Sequence, residues 1–193
     1  MGGTSGQVRV RPATAERWPD VVTVMGTRGD PAGCWCQYYR LRGRDWAGAS
    51  VPQLRAALRE QVSSGPVPPG VLAYRDGEPV GWCAVGPKED DPRLLASPVS
   101  RGEVAGVWSV SCFVVRVGHR RQGVARALLD GAVELARRHG AAVVEAYPVD
   151  PSARRSLSSA ELFHGPLGLF LDAGFTEEAR PSPARAVVRL PCG

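Results

Sequence analysis

The stretch from Val107 to His139 constrains this chain more than any other. Val107 to Val115 is an apolar, β-branched run bounded by glycines, the pattern of a strand buried on both faces. From about Gln122 to His139, the side chains of Val124, Leu128, Ala132, Leu135 and Ala136 fall on one stripe of a helix. Arg137, Arg138 and His139 occupy its last turn and Gly140 follows, which suits the negative end and the left-handed cap of a helix. The two elements are joined by Arg116-Val117-Gly118-His119-Arg120-Arg121-Gln122-Gly123-Val124-Ala125. A helix amino terminus holds unpaired N–H groups and a partial positive charge, so acidic residues belong there. This chain places Arg120 and Arg121 at that end and Arg126 one turn inside, each unfavourable by about 0.3–1 kcal/mol unless an anion is bound. Gly123 allows close approach of backbone to a phosphate oxygen, and the small Ala125 leaves the first turn open.

The rest of the chain alternates short strands and helices. Gln7 to Arg11 has the period of two of a strand, ended by Pro12. A helix starts near Thr14 and runs through Trp18, Val21, Val22, Val24 and Met25 to a breaker at Gly29-Asp30-Pro31. Leu54, Leu58 and Val62 mark a second helix from about Pro52 to Ser63, with Ser50 as its cap. The aromatic cluster Gly33 to Arg40 lies between them, its secondary structure open. Val71–Arg75 and Pro79–Val85 flank Asp76-Gly77 as a hairpin. Gly86 to Gly106 is polar and proline-bearing, an irregular insertion long enough to be functional or mobile. Ala141 to Tyr147 reads as another buried strand, Pro148 to Ser159 as a loop, Pro166 to Ala173 as a short helix, and Phe175 to Ala179 and Arg185 to Leu190 as final strands. The sum is one mixed α/β domain over 1–193, with 1–6 a flexible start.

At 193 residues, 44% hydrophobic and 22% charged, the chain has globular composition, which excludes a disordered, collagen-like or coiled-coil protein. No apolar stretch approaches a membrane span, and Met1 to Gly6 lacks the apolar segment of a secretory signal, so a soluble, cytoplasmic protein is expected. The net charge is +5, but Lys88 is the only lysine among 24 basic residues and no basic run occurs. That skew fits GC-rich coding better than a nucleic-acid partner. The five cysteines, odd in number and irregularly spaced, suit a reducing compartment. Cys34-x-Cys36 lacks the further ligands of a zinc site, so no metal is expected, and Cys112 reads as core packing ahead of acylation.

Two phosphate cradles fail on spacing. Gly118 and Gly123 stand as in a P-loop, but Val124-Ala125 replaces its Lys and Ser or Thr, and the dinucleotide fingerprint needs three glycines. The pattern Gln/Arg-x-x-Gly-x-Gly/Ala does fit, as Arg120-Arg121-Gln122-Gly123-Val124-Ala125. It resembles the acetyl-coenzyme A loop of the GCN5-related N-acetyltransferase (GNAT) superfamily. The order of elements around it, ending in Ala173-Gly174-Phe175 and the terminal strands, extends the resemblance over most of the chain. The resemblance implies a mostly antiparallel central sheet flanked by helices, with splayed central strands forming an acyl-coenzyme A slot. It implies acetyl-CoA as cosubstrate, held at pyrophosphate by Arg120 and by the backbone N–H groups of Arg121, Gln122, Gly123, Val124 and Ala125. It also implies a pantetheine arm paired with the backbone around Phe113 and Val115, and it allows a homodimer.

Relatives often carry a tyrosine general acid where this chain has Phe170. Tyr147 and His164 are the remaining candidates, and a thiol of pKa near 8.5 needs little protonation to depart. An ammonium acceptor must lose a proton before it attacks, work for a carboxylate directly or through water. Glu145 shares a strand face with Tyr147 and is the candidate base, with Glu103 as alternative; a salt-bridge role for Glu145 and a core-edge role for Tyr147 remain open. Trp35, Tyr38, Trp82 and Trp108 are candidates for an aromatic acceptor wall. The expected activity is direct acetyl transfer to a primary amine of a small molecule in a ternary complex. The rivals are a transferase using aminoacyl-tRNA or a bulkier acyl donor, one acting on a protein amine, and a non-catalytic acyl-CoA-binding domain.

Overall fold

A computed structural model describes residues 6–100, 102–153 and 161–193. In chain order the elements are β1 (Arg9–Pro12), α1 (Trp18–Met25), α2 (Gly29–Cys34), α3 (Gly43–Gly48), α4 (Val51–Ser64), β2 (Gly70–Arg75), β3 (Glu78–Pro87), α5 (Pro92–Leu95), β4 (Val107–Val115), α6 (Val124–Arg138), β5 (Val143–Ala146), α7 (Leu167–Leu171), β6 (Thr176–Ser182) and β7 (Arg185–Pro191). Short 3-10 turns at Ala15–Arg17, Lys88–Asp90, Pro98–Ser100, Pro151–Ala153 and Glu161–His164 fill the connections. The expected flexible start lies outside the described residues except for Gly6, as does the second half of the loop expected over Pro148 to Ser159.

The strands form one seven-stranded sheet in the order β1-β2-β3-β4-β5-β7-β6. Every pairing is antiparallel except β4 with β5. That parallel pair is short. Val107 to Val110 match Val143 to Ala146, after which β4 runs on to Val115 with β3 alone beside it. The central strands therefore splay, as the resemblance implied. At the point of divergence β4 bulges: Ala84 faces Cys112 and Val85 faces Val110, leaving Ser111 as the extra residue.

Each sheet face carries its own core. α6 lies across one face, its apolar stripe of Val124, Leu128, Ala132, Leu135 and Ala136 packed with Val71, Cys83, Val110, Phe113 and Val144. Under β1 the fit is close, since a Cβ on Gly131 would stand 2.4 Å from Val10 Cγ1. The other face is covered by α1 and α4, whose Val21, Met25, Leu54 and Leu58 bury Leu72, Trp82 and Ala84. α4 begins in a capping box in which Gln53 Oε1 accepts the Ser50 N–H at 2.8 Å. The apparent breaker at Gly29-Asp30-Pro31 instead opens α2. A proline is tolerated in a first turn, and Asp30 there suits the helix dipole.

The insertion expected to be irregular is built in. β3 continues to Pro87, and the segment beyond folds over the β5 half of the second face, where Leu94 packs with Tyr147 and Val187. Buried Lys88 pins it, donating to Glu103 O at 3.1 Å and pairing with Glu145.

Candidate active site

The connection from β4 into α6 has the geometry of an anion cradle. Gly118, Arg121 and Gly123 all have positive φ, at 92°, 58° and 79°. For Gly118 and Gly123 this is free of strain. For Arg121 it is disfavoured by roughly 1–2 kcal/mol. Left-handed residues flank Gln122, the kind of alternation by which a main-chain nest gathers successive N–H groups around an anion. Among the described residues no side chain caps α6, and the N–H groups of Arg121 through Arg126 make no hydrogen bond. The helix positive end and these free donors share one exposed turn.

The arginines around it divide by partner. Arg116 is paired with Glu78 at 2.5 Å, and Arg126, expected near the anion, is tied down its helix to Asp130 at 2.9 Å. Arg120 donates from Nε to Val115 O at 3.2 Å, and Arg121 has no partner among the described residues. One contact had no signal in the sequence. Arg75, at the end of β2, donates from Nη2 to Gln122 O at 2.7 Å and from Nη1 to Gln122 Oε1, while Gln122 Nε2 donates to Gly118 O at 2.7 Å.

The open edge of β4 runs from this turn to the bulge. Arg116 N–H donates to Val80 O at 3.0 Å, so the backbone groups of Val114, two residues earlier, also face β3. Those of Phe113 and Val115 therefore face the gap that β5 vacates. The Phe113 side chain turns into the core against Phe170, centroids 6.0 Å apart, and Phe170 is fully buried. The ring standing where relatives place a tyrosine is thus a packing group.

Around the bulge, polar side chains from four distant segments converge. Asp91 is buried, accepts from Ser109 Oγ at 2.7 Å and pairs with Arg40 Nε at 3.3 Å. Burial pushes its carboxyl above the ordinary value, against the downward pull of Arg40 and Ser109. A small cavity of about 10 Å³, room for one water, adjoins it and is lined by Cys36, Arg40, Gln61, Trp82, Asp91 and Ser111. His164 comes in from the far side of the gap. Its Nε2 and Tyr39 Oη are 2.9 Å apart, while its buried Nδ1 reaches no partner within full hydrogen-bond geometry among the described residues. Burial, then Arg185, pushes its pKa down to about 3, with the Ser111 backbone pulling the other way. Burial pushes the Tyr39 phenol up.

Glu145 and Tyr147 do share a face, but both are engaged. Glu145 Oε1 accepts from Lys88 Nζ at 2.8 Å and from Tyr147 Oη at 2.5 Å, and Oε2 accepts from Arg189 at 2.7 Å. With two cations and the Tyr147 hydroxyl fixed on it and 1% of its surface exposed, this carboxylate has no free lone pair toward the gap. The open salt-bridge alternative for Glu145 is the arrangement found. Tyr147 also meets Ser100 Oγ at 3.2 Å, and burial followed by the Glu145 charge pushes its phenol up. Glu103 points to solvent, 3.9 Å from Arg189. Of the four aromatics proposed as an acceptor wall, Trp82 lines the cavity. Trp35 stacks on Trp18 at 5.9 Å in the neighbouring core, and Tyr38 lies outside it, under Arg93 and edge-on to Trp46. Trp108 is corrected: it lies on the opposite sheet face, stacked on His139 at 5.6 Å. Asp91, Arg40, Tyr39 and Arg75 are the site residues that sequence reasoning missed. No group of three or more metal-ligating side chains occurs among the described residues.

A mixed sheet with a splayed parallel pair, and an uncapped helix pointing its free amides at the splay, defines an acyltransferase-type fold. The sequence matches the Acetyltransferase (GNAT) family over residues 35–160, and the chain belongs to that family. Solved structures agree on the fold. The GNAT domain of S. lividans PAT is 21% identical, with TM-score 0.58 over 96% of this chain and 91% of that one. The yncA structure from Salmonella typhimurium, solved with its cofactor acetyl-CoA, is 15% identical, with TM-score 0.55 over 96% and 94%. The ribosomal-protein-alanine N-acetyltransferase of Brucella melitensis is 17% identical, with TM-score 0.55 over 95% and 99%. No curated protein matches the sequence.

Proposed function

We propose that this protein transfers an acetyl group from acetyl-CoA to a primary amine of a small molecule, by direct attack in a ternary complex. The observation that supports this most is the run of unpaired amides from Arg121 to Arg126 at the positive end of α6, opening onto the bare edge of β4. The amides of Arg121, Gln122, Gly123, Val124 and Ala125 hold the pyrophosphate, with Arg120 and Arg121 as countercharges. The backbone groups of Phe113 and Val115 pair with the pantetheine amides as an added strand does. For the second pairing, the Arg120 side chain leaves Val115 O.

The thioester then lies at the Ser111 bulge, beside Asp91 and His164. Asp91 replaces Glu145 as the proton acceptor: it is the buried carboxylate beside a water-sized cavity, and burial makes it readier to take a proton from the ammonium. Ser109 and Arg40 fix its orientation. His164 is neutral. With its Nε2 accepting from Tyr39, its Nδ1–H turns from the Ser111 backbone to hydrogen-bond the departing thiolate, which takes its proton from solvent. Tyr147 is locked on Glu145 and supports the wall. Trp82 and Trp35 back the acceptor side.

Incubating the protein with acetyl-CoA labelled in the acetyl group, across a panel of primary amines, tests the proposal. N-acetylated product is expected with at least one amine and only with enzyme. Acetyl-CoA binding with no product from any amine in the panel favours the non-catalytic alternative.

A further inference from the structure

Arg75 stands out because it is buried, charged and unmatched. It is 8% exposed and, among the described residues, forms no ion pair with a carboxylate and finds no hydrogen-bond partner for its Nε. A buried cation without a countercharge is unfavourable in any fold. Every bond it does make goes to one residue, Gln122, whose carbonyl sits between the two left-handed positions Arg121 and Gly123. Gln122 passes the restraint on, through its side-chain amide, to the carbonyl of Gly118 at the start of the turn.

We propose that Arg75 is a positioning residue for the diphosphate of the coenzyme. Its guanidinium holds the Gln122 carbonyl, keeps Arg121 in its disfavoured left-handed conformation, and supplies beneath the nest a positive charge that is neutralised only when diphosphate binds. The inference rests on the acetyl-CoA reading above and adds to it a residue from the β2–β3 hairpin, remote in sequence from the turn. Fork geometry matters here. Two guanidinium nitrogens engage the carbonyl and the side-chain oxygen of one residue, an arrangement that the single ammonium of lysine does not reproduce.

A strut that merely braces the fold makes a different prediction from a charge awaiting its ligand. The test is calorimetric titration with acetyl-CoA, together with the melting temperature of the ligand-free protein, for wild type, Arg75→Met and Arg75→Lys. Arg75→Met is expected to weaken acetyl-CoA by about 10- to 100-fold, the range for losing hydrogen bonds from a charged donor. Its ligand-free melting temperature is expected to stay level or rise, because an unpaired buried charge has been removed. Arg75→Lys is expected to recover part of the affinity. Acetyl-CoA affinity within twofold of wild type in Arg75→Met overturns the proposal, as does a marked fall in the ligand-free melting temperature. Failure of the wild type itself to bind acetyl-CoA overturns the coenzyme reading instead, so the two failures are distinct.

Discussion

Glu145→Gln separates a structural carboxylate from a catalytic one. Glu145 is 1% exposed and Lys88 fully buried, and among the described residues Lys88 has only this carboxylate and one carbonyl as partners. The amide keeps one acceptor oxygen but turns N–H groups toward a cation, leaving Lys88 or Arg189 uncompensated. Breaking one side of a buried pair destabilises by about 3–5 kcal/mol. For a chain of this size, each kcal/mol moves the midpoint by about 2–4 °C, so the melting temperature should fall by roughly 6–20 °C. Removing the cation as well should reverse much of the loss, because an apolar replacement of a buried pair is close to neutral. Lys88→Met combined with Glu145→Gln is therefore expected to melt well above Glu145→Gln alone. Scanning calorimetry on the two variants provides the measurement. A single variant that melts within 2 °C of wild type, or a double variant no better than the single, refutes the reasoning. Turnover of Glu145→Gln, measured below its melting range, should stay near that of wild type.

Other outcomes follow from the same geometry. Asp91→Asn should lower kcat/KM by about 10²- to 10⁴-fold while leaving the acetyl-CoA titration unchanged, and Ser109→Ala, which removes a hydrogen bond favouring the carboxylate, should move the acidic limb of the pH profile upward. An unmoved limb counts against Asp91 as proton acceptor. His164, held near pKa 3 in the fold against an ordinary 6.5, leaves the unfolded chain binding more protons between those values. Stability should then fall as pH drops through that window, by up to about 1.4 kcal/mol per unit from this group, and His164→Gln should flatten the slope seen by urea unfolding between pH 6 and 4. Equal slopes would show that the imidazole is not held neutral. Gly131→Ala should destabilise by about 1–3 kcal/mol in the same assay, since its Cβ meets Val10 at 2.4 Å between helix and edge strand.

The strand, turn and helix from Val107 to Arg138 were legible because each part is written in local periodicity and in one unfavourable charge placement. The pairing of Glu145 and Tyr147 on one face was legible for the same reason. Their chemistry was not, because Lys88 and Arg189, which occupy the carboxylate, arrive from segments dozens of residues away. Trp108 illustrates a different limit. Four residues before Cys112 on a regular strand, it belongs on the same face, but the extra residue at Ser111 shifts the parity and sends the two to opposite cores. The bulge leaves no mark in hydrophobic pattern. Asp91 lay inside a polar segment that reads as loop, and only its burial against Ser109 and Arg40 distinguishes it.

Titration of the wild type and of Gly123→Asp with acetyl-CoA bears most directly on the whole account. A Cβ at Gly123 meets nothing within 4 Å in the ligand-free protein, so the variant has room to fold, with only the strain of its left-handed backbone to bear. Saturable one-to-one binding by the wild type, lost when a carboxylate stands in the nest, is the predicted result. Equal binding by both proteins would contradict it.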